Sequence, residues 1–394
     1  MTDGTKRRLK LGVAGLGRAF TVMLPTFVGD PRVTLVAAAE PRAEARTRFA
    51  AEFSARAYDS VEALCADPDV EVVYVATPHQ HHAANAVLAA ANGKHLLIEK
   101  PLALTLDDCA TIVEAARRAG VQVVVGHSHS FDAPVVRARA MISSGEFGAV
   151  RMITALNFTD FMHRPRRPEE LDTAQGGGTV FNQAAHQIDI VRLLGGGQVR
   201  SVRAVTGAWD ADRPTEGAYA ALLTFETGAF ASVTYNGYGG FDSDEFQGWI
   251  GEMGFRKAAG VGRQSTSFAD AADEAAAKAA RNYGGAAYRP VTEPPHAHQH
   301  FGTVLVSCDG ADLRLTPEGV MVYRNGTGRL ERLPPPAVAR AEVIDELYGA
   351  VVEGRRPLHS GAWATATLEV CLAILRSARE QCDIALHRQV AANV

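Results

Sequence analysis

Between residues 9 and 128, short and nearly unbroken apolar runs rich in β-branched residues alternate with Ala-rich stretches of helix length, and this alternation narrows the possible folds most sharply. The predicted strands are Leu11–Ala14, Val33–Ala39, Val72–Ala76, His95–Ile98 and Val121–Val125. Strands separated by helix-length segments imply βαβ units, hence a parallel sheet covered on both faces, and the continuous apolar character of the runs fits that burial. At 394 residues the chain exceeds the usual size of one domain, so a second core is expected.

From about residue 150 the pattern changes to longer strands at hairpin spacing, with turn signals at Glu226-Thr227-Gly228 and Asn325-Gly326-Thr327-Gly328. Predicted strands here are Val150–Asn157, Val199–Ala208, Tyr219–Phe225, Phe230–Tyr235, Gly302–Ser307, Asp312–Leu315 and Val320–Tyr323. They read as a mixed or antiparallel sheet with one face on helices, and a second subunit is one way to cover the other face. Residues 241–298, rich in Gly, Ala and charge and then in Pro, read as an insertion with a helical stretch near Asp270–Arg281. Two amphipathic segments, about 336–353 and 363–381, are expected to pack back on a sheet.

Charge excludes one class of partner. Forty basic and 44 acidic residues, spread without long runs, give a net charge of -4 and no basic stripe for nucleic acid. The five cysteines are widely spaced and form no C-x-x-C pair, so they read as reduced thiols of a cytoplasmic protein. The basic N-terminus (Lys6, Arg7, Arg8, Lys10) is followed by an apolar run broken by glycines and Arg18, unlike a signal peptide. No window approaches the roughly 20 apolar residues of a membrane span.

In Leu11-Gly12-Val13-Ala14-Gly15-Leu16-Gly17-Arg18-Ala19-Phe20 a strand feeds a glycine pair, which lets the backbone turn sharply and places a helix N-terminus where a pyrophosphate can sit. Phe20 departs from the small residue of the strict fingerprint. By itself such a loop can also be an ordinary strand-to-helix turn. Glu40 closes the second strand, where a carboxylate can accept from the adenosine ribose hydroxyls and repel a 2′-phosphate. Arg42 could instead hold that phosphate. NAD is thus favoured over NADP, with Gly15, Gly17, Arg18, Ala19, Phe20, Glu40 and Arg42 as the cofactor side, unless Glu40 is merely a solvated loop acid.

Glu99-Lys100-Pro101 places Lys100 at the carboxyl end of a parallel strand, the edge where such sheets bind ligands. A lysine there can orient a hydroxyl or carbonyl oxygen, or it can be a surface residue before a proline turn. Within Gly176-Gly177-Gly178-Thr179-Val180-Phe181-Asn182-Gln183-Ala184-Ala185-His186, Asn182 and His186 are spaced to share one face of a helix. Histidine accepts protons near neutral pH, and oxidation of an alcohol needs such a base. Helix-face histidines are otherwise usually structural.

Taken together, Gly15-x-Gly17, the Thr77-Pro78 segment ending in His82, Glu99-Lys100-Pro101, and the glycine run followed by Asn182 and His186 resemble the Gfo/Idh/MocA oxidoreductases over nearly the whole chain. The resemblance implies a doubly wound Rossmann domain over 1–128 and an α+β domain with a large open sheet over 129–394, used for homo-oligomerisation. It carries Lys100, Asn182 and His186 onto the family's catalytic set, and Thr77, Pro78, His82 and Glu99 onto the cofactor side. Many members have aspartate where this chain has Asn182, which leaves Lys100 or His186 as the base. We read His186 as the acid/base and Lys100 as the ligand of the reacting oxygen, with the opposite assignment open.

The stretches Asp160–Asp172 and His298–Gly302 resemble a narrower group, the phthalate dihydrodiol dehydrogenases. Arg164, Arg166 and Arg167 could supply forked donors for substrate carboxylates, or form a solvated loop with Glu169, Glu170 and Asp172. His129 is either a substrate contact or a loop histidine. The histidines at 79, 81 and 82 and at 296, 298 and 300 lack a carboxylate or cysteine at metal-site spacing, so no metal is expected. The implied activity is NAD-dependent oxidation of an aromatic cis-dihydrodiol, with a dihydroxy-dihydrophthalate as substrate and a catechol acid as product. A sugar or inositol dehydrogenase, or a non-catalytic NAD-sensing regulator, are the alternatives.

Overall fold

The computed structural model describes residues 7–260, 268–291 and 293–392. The insertion expected at 241–298 therefore lies partly outside the described residues. The chain divides into two compact units: residues 1–127, 275–294 and 338–365 form the first, and residues 128–274, 295–337 and 366–394 the second. A single boundary is expected at 128, whereas the chain returns twice to the first unit after that point.

The first unit is a six-stranded parallel sheet, ordered β3-β2-β1-β4-β5-β6. In chain order its strands are β1 (Leu9–Ala14), β2 (Val33–Ala39), β3 (Arg56–Tyr58), β4 (Val72–Val75), β5 (His95–Ile98) and β6 (Val123–Val125). The connecting helices are α1 (Arg18–Gly29), α2 (Ala43–Phe53), α3 (Val61–Ala66), α4 (His82–Ala91) and α5 (Leu106–Ala119). Every residue of β4 and β6 is buried, as a sheet covered on both faces requires. β3 escaped the sequence reading because three residues, one exposed and two half-buried, carry no apolar signature.

Residues of the insertion complete this unit. Tyr283 is buried with its ring 5.4 Å from Phe20 and 6.4 Å from Phe49, and the Arg48 guanidinium stacks 5.2 Å over it. Phe20, the departure from the glycine fingerprint, thus belongs to an aromatic cluster between α1, α2 and the insertion, with Tyr283 at its centre.

The second unit carries a nine-stranded mixed sheet, ordered β14-β13-β12-β11-β7-β10-β9-β8-β15. Its strands are β7 (Val150–Phe158), β8 (Val199–Gly207), β9 (Ala218–Phe225), β10 (Phe230–Asn236), β11 (Thr303–Cys308), β12 (Asp312–Thr316), β13 (Gly319–Arg324), β14 (Thr327–Arg332) and β15 (Ile384–Ala385). Neighbours run antiparallel except β7 and β10. β14 and β15 were not expected: the first is largely exposed and the second is two residues long.

Period-two alternation divides the sheet into two faces. One buries Ile153, Ala155, Val233, Tyr235, Leu223 and Val306 beneath helices that include α6 (Ala133–Ser143) and α7 (Ala185–Gly195). The other presents Met152, Val205, Leu222, Phe230 and Leu305, all more than a third exposed.

Candidate functional site

In the first unit, β1 is followed by Gly15, whose φ of +95° is poorly tolerated by a side chain; a Cβ there would also lie 2.9 Å from the Ala76 carbonyl oxygen. Gly17 caps α1 without a side-chain hydrogen bond, no acid sits in the first turn, and a Cβ at Gly17 would meet nothing within 4 Å. The helix N-terminus therefore carries no side-chain cap and leaves room at Gly17, an arrangement that fits a dinucleotide pyrophosphate. Arg18 and Ala19 open this helix.

Glu40 is no solvated loop acid. It is buried, with Oε2 accepting from the Leu16 amide at 2.9 Å and Oε1 accepting from the Arg42 Nε at 2.8 Å and the Arg42 amide at 3.1 Å. Arg42 also donates to the Leu16 carbonyl at 3.0 Å and to the Tyr283 carbonyl at 3.1 Å. This ties Arg42 into the loop rather than leaving its fork outstretched, which weighs against a 2′-phosphate there.

At the carboxyl ends of β4 and β5, His82 joins two loops. Its Nδ1 lies 3.0 Å from the Pro101 carbonyl and its Nε2 3.0 Å from the Thr77 carbonyl. Burial holds its pKa below the ordinary value against the pull of those carbonyls, so the neutral ring donates to one of them at a time. Asn85 donates to the Thr77 hydroxyl at 3.0 Å, and Pro78 precedes a short helical turn. Glu99 accepts from the Tyr74 hydroxyl, and burial raises its pKa against the opposing pull of that bond and of the Lys100 and Arg340 charges. Lys100 thus sits on a braced loop, followed by a cis peptide to Pro101.

The second unit gathers several of the sequence-predicted side chains. His186, at the start of α7, lies with its ring 4.9 Å from that of His129 and 5.0 Å from that of Phe301. His129 is fully buried between two carboxylates: Asp132 Oδ2 lies 2.6 Å from Nδ1 and Glu252 Oε1 lies 3.3 Å from Nε2. Burial opposes its charge, yet the two acids prevail and lift its pKa to about 8. The ordinary value near 6.5 is exceeded, so the stabilisation is complete below about pH 6.5 and is lost as pH rises through about 8, on the order of 2 kcal/mol. Chemical unfolding of the wild type and Asp132→Asn should show a gap that narrows across that window; a gap independent of pH would contradict a charged His129.

Asp189, one turn along α7 from His186, fixes the His129 loop. Its carboxylate accepts from the Ser128 and Ser130 hydroxyls at 2.5 Å and from the Thr367 hydroxyl at 2.6 Å. Fully buried Arg192 donates to Thr367 Oγ1 at 2.7 Å and lies 4.0 Å from Asp189. Asp189, Asp132 and Glu252 went unnoticed in the sequence because an isolated acid in an apolar or glycine-rich stretch carries no spacing signal.

Asn182 lies in a π-helical turn, Val180–Ala184, that leads into α7. Its amide donates to the carbonyls of Gly178 at 2.8 Å and Gly176 at 3.2 Å, so it braces the glycine run. That run is closely packed: a Cβ on Gly178, at φ +80°, would lie 2.1 Å from Glu216 Oε1.

The three arginines part company. Arg167 pairs with Glu169 at 3.1 Å and Glu170 at 3.4 Å, matching the salt-bridged loop alternative. Arg166 is buried, stacked 3.6 Å over the Phe161 ring and donating to the Phe161 carbonyl, and burial lowers its pKa to about 10. Arg164 stays 42% exposed, its Nε donating to Asp160 at 3.0 Å. Burial disfavours its charge, but attraction from Glu252 and Asp160 raises its pKa overall. Tyr235 stacks 6.2 Å from Phe301, and burial raises its pKa against the opposing charge of Arg164. Of the discounted histidines, His298 contacts the Pro334 carbonyl and His300 the Ile250 carbonyl.

Residues 9–127 match the oxidoreductase family with an NAD-binding Rossmann fold, and residues 135–246 match the GFO/IDH/MocA C-terminal domain. The chain is 46% identical over 379 residues to 1-carboxy-3-chloro-3,4-dihydroxycyclohexa-1,5-diene dehydrogenase of Comamonas testosteroni, covering 95% of this chain and 96% of that protein. A putative dehydrogenase of Bordetella bronchiseptica RB50 superposes with a TM-score of 0.88 at 38% identity, covering 96% of this chain and 100% of that one. A levoglucosan dehydrogenase complexed with NADH and levoglucosan shares the fold, with a TM-score of 0.74 at 19% identity over 96% of this chain and 99% of that one. Two domain matches in the expected order and an extended relative give one conclusion: this NAD-binding chain is a member of the Gfo/Idh/MocA oxidoreductase family.

Proposed function

We propose that the protein is an NAD-dependent dehydrogenase of a ring-carboxylated cis-dihydrodiol, the class to which dihydroxy-dihydrophthalates belong, and that it yields the corresponding catechol acid. The observation that carries this reading is the second unit's cluster, in which the His186 ring lies 5.0 Å from Phe301 and Phe301 stacks 6.2 Å from Tyr235, with the partly exposed Arg164 in the same unit. A proton acceptor, a flat aromatic surface and a guanidinium suit a planar acidic ring better than a neutral sugar. The dihydroxycyclohexadiene carboxylate named for the Comamonas relative supports it.

NAD, when bound, supplies the hydride acceptor. Gly15, Gly17 and the α1 amides hold the pyrophosphate, while Glu40 braces the loop through Leu16. Lys100 binds the reacting oxygen. His186 removes the hydroxyl proton, and Phe301 and Tyr235 orient the ring. Loss of that proton from oxygen and of hydride from carbon leaves an enone, which tautomerises to the aromatic catechol. Turnover with a dihydroxycyclohexadiene carboxylate should exceed that with myo-inositol or glucose when NAD reduction is followed; preferential oxidation of the polyols would sink the reading.

We also propose that a second copy covers the open sheet face bearing Met152, Leu222, Phe230 and Leu305, since exposed apolar patches of this kind commonly mark interfaces. Light scattering should find an oligomer that Leu222→Glu with Phe230→Glu dissociates. A wild-type monomer would refute it.

A further inference from the structure

Arg42 stands just past the carboxyl end of β2, where an arginine can accommodate the adenosine 2′-phosphate of NADP. Its side chain is 32% exposed, so a ligand can reach it. Each nitrogen of the guanidinium nevertheless donates within the protein: Nε to Glu40 Oε1 at 2.8 Å, Nη2 to the Leu16 carbonyl at 3.0 Å and Nη1 to the Tyr283 carbonyl at 3.1 Å. The first two acceptors lie at the glycine loop and the strand end. The third comes from the insertion, 241 positions along the chain. We propose that Tyr283 is a positioning residue that locks the Arg42 fork away from a 2′-phosphate, so that the insertion makes the site selective for NAD over NADP.

The lock is built from both parts of Tyr283. Its ring is buried against α2, 6.4 Å from Phe49 and 6.4 Å from Phe53, with the Arg48 guanidinium 5.2 Å over it. Its hydroxyl donates to Glu52 Oε2 at 2.7 Å. On the backbone side, Gly284 has φ +77°, and a Cβ there would lie 3.3 Å from the Ala45 Cα. The peptide that carries the Tyr283 carbonyl is therefore pressed close to the first turn of α2, the helix that Arg42 caps. Ring, hydroxyl and backbone together fix where that carbonyl points.

A 2′-phosphate is best held by two parallel N–H donors of one guanidinium. To offer them, Arg42 must leave the plane set by its three acceptors and withdraw Nε from buried Glu40. A buried carboxylate that loses a donor raises the cost of that movement. The 2′-hydroxyl of NAD asks for no such fork. Selectivity of this kind comes from withholding a contact from the wrong ligand, with the Glu40 charge as a second barrier.

The test uses the full chain without a diol, so it is independent of the substrate reading. NADH and NADPH are titrated by fluorescence, and 5′-ADP and 2′,5′-ADP by calorimetry. Wild type should bind NADH more tightly than NADPH. A lock that holds the fork back in about nine molecules of ten costs a 2′-phosphate about tenfold in apparent affinity, so Tyr283→Ala should tighten NADPH and 2′,5′-ADP by about tenfold. NADH and 5′-ADP should bind no more tightly than to wild type. Adding Arg42→Ala to Tyr283→Ala should abolish the gain. Gly284→Ala, which displaces the carbonyl and spares the ring, should reproduce it and serves if Tyr283→Ala fails to fold.

A gain confined to 2′-phosphorylated ligands and dependent on Arg42 is what a merely structural role cannot produce, since loosening of the fold weakens all four ligands. Wild type binding NADPH as tightly as NADH, unchanged or weaker NADPH binding in both the Tyr283 and Gly284 variants, or a gain that survives Arg42→Ala would each overturn the proposal.

Discussion

Replacing His186 with alanine should lower turnover of a carboxylated dihydrodiol by about 10²–10⁴-fold, the usual contribution of a positioned acid/base group. NADH affinity, followed by fluorescence titration, should stay at the wild-type value, because the glycine loop and Glu40 bracing belong to the first unit. The pairing of readouts matters. Loss of both would signal misfolding, whereas retained turnover would remove His186 from the chemistry and leave Lys100 as the base. Lys100→Ala distinguishes the two assignments through the pH profile: with His186 as base the acidic limb survives the substitution, and with Lys100 as base it disappears.

The second large effect concerns stability. Asp189→Ala should destabilise the protein by about 3–5 kcal/mol, the range for breaking a buried ion pair by removing one partner. The substitution deprives fully buried Arg192 of the carboxylate 4.0 Å away and takes from Ser128, Ser130 and Thr367 their common acceptor. Asp189→Asn should cost less, since an amide oxygen still accepts while the charge is lost. Urea unfolding measures both. An Asp189→Ala midpoint equal to wild type would show that this network does not hold the loop. Because the same carboxylate anchors the segment that carries His129, activity should fall in Asp189→Ala even at temperatures where it stays folded.

Elements with a strong period were legible from sequence. β2 and β5 fall at the expected bounds, and the helix Ala271–Ala279 lies inside the expected stretch. Elements without apolar contrast, such as β3 and β15, were not. The candidate site divides along the same line. Gly15, Lys100 and His186 stand out because their neighbours in sequence form a motif, whereas Glu252, Asp132 and Asp189 matter through partners distant along the chain. Arg164, Arg166 and Arg167 show the limit most clearly. They lie within four positions, but Arg166 is buried 3.6 Å over the Phe161 ring, Arg164 stands 5.8 Å over the same ring and pairs with Asp160, and Arg167 is held by two glutamates. Tyr283 makes the same point, since nothing in its Gly- and Ala-rich surroundings announces the cluster it forms with Phe20.

The proposed reaction removes hydride from a carbinol carbon of a carboxylated cis-dihydrodiol. A substrate deuterated at that carbon should give deuterated NADH and a catechol acid in equal amounts, with the label read by mass spectrometry. NADH formed without label, or no NADH from the diol while a polyol is oxidised, would contradict it.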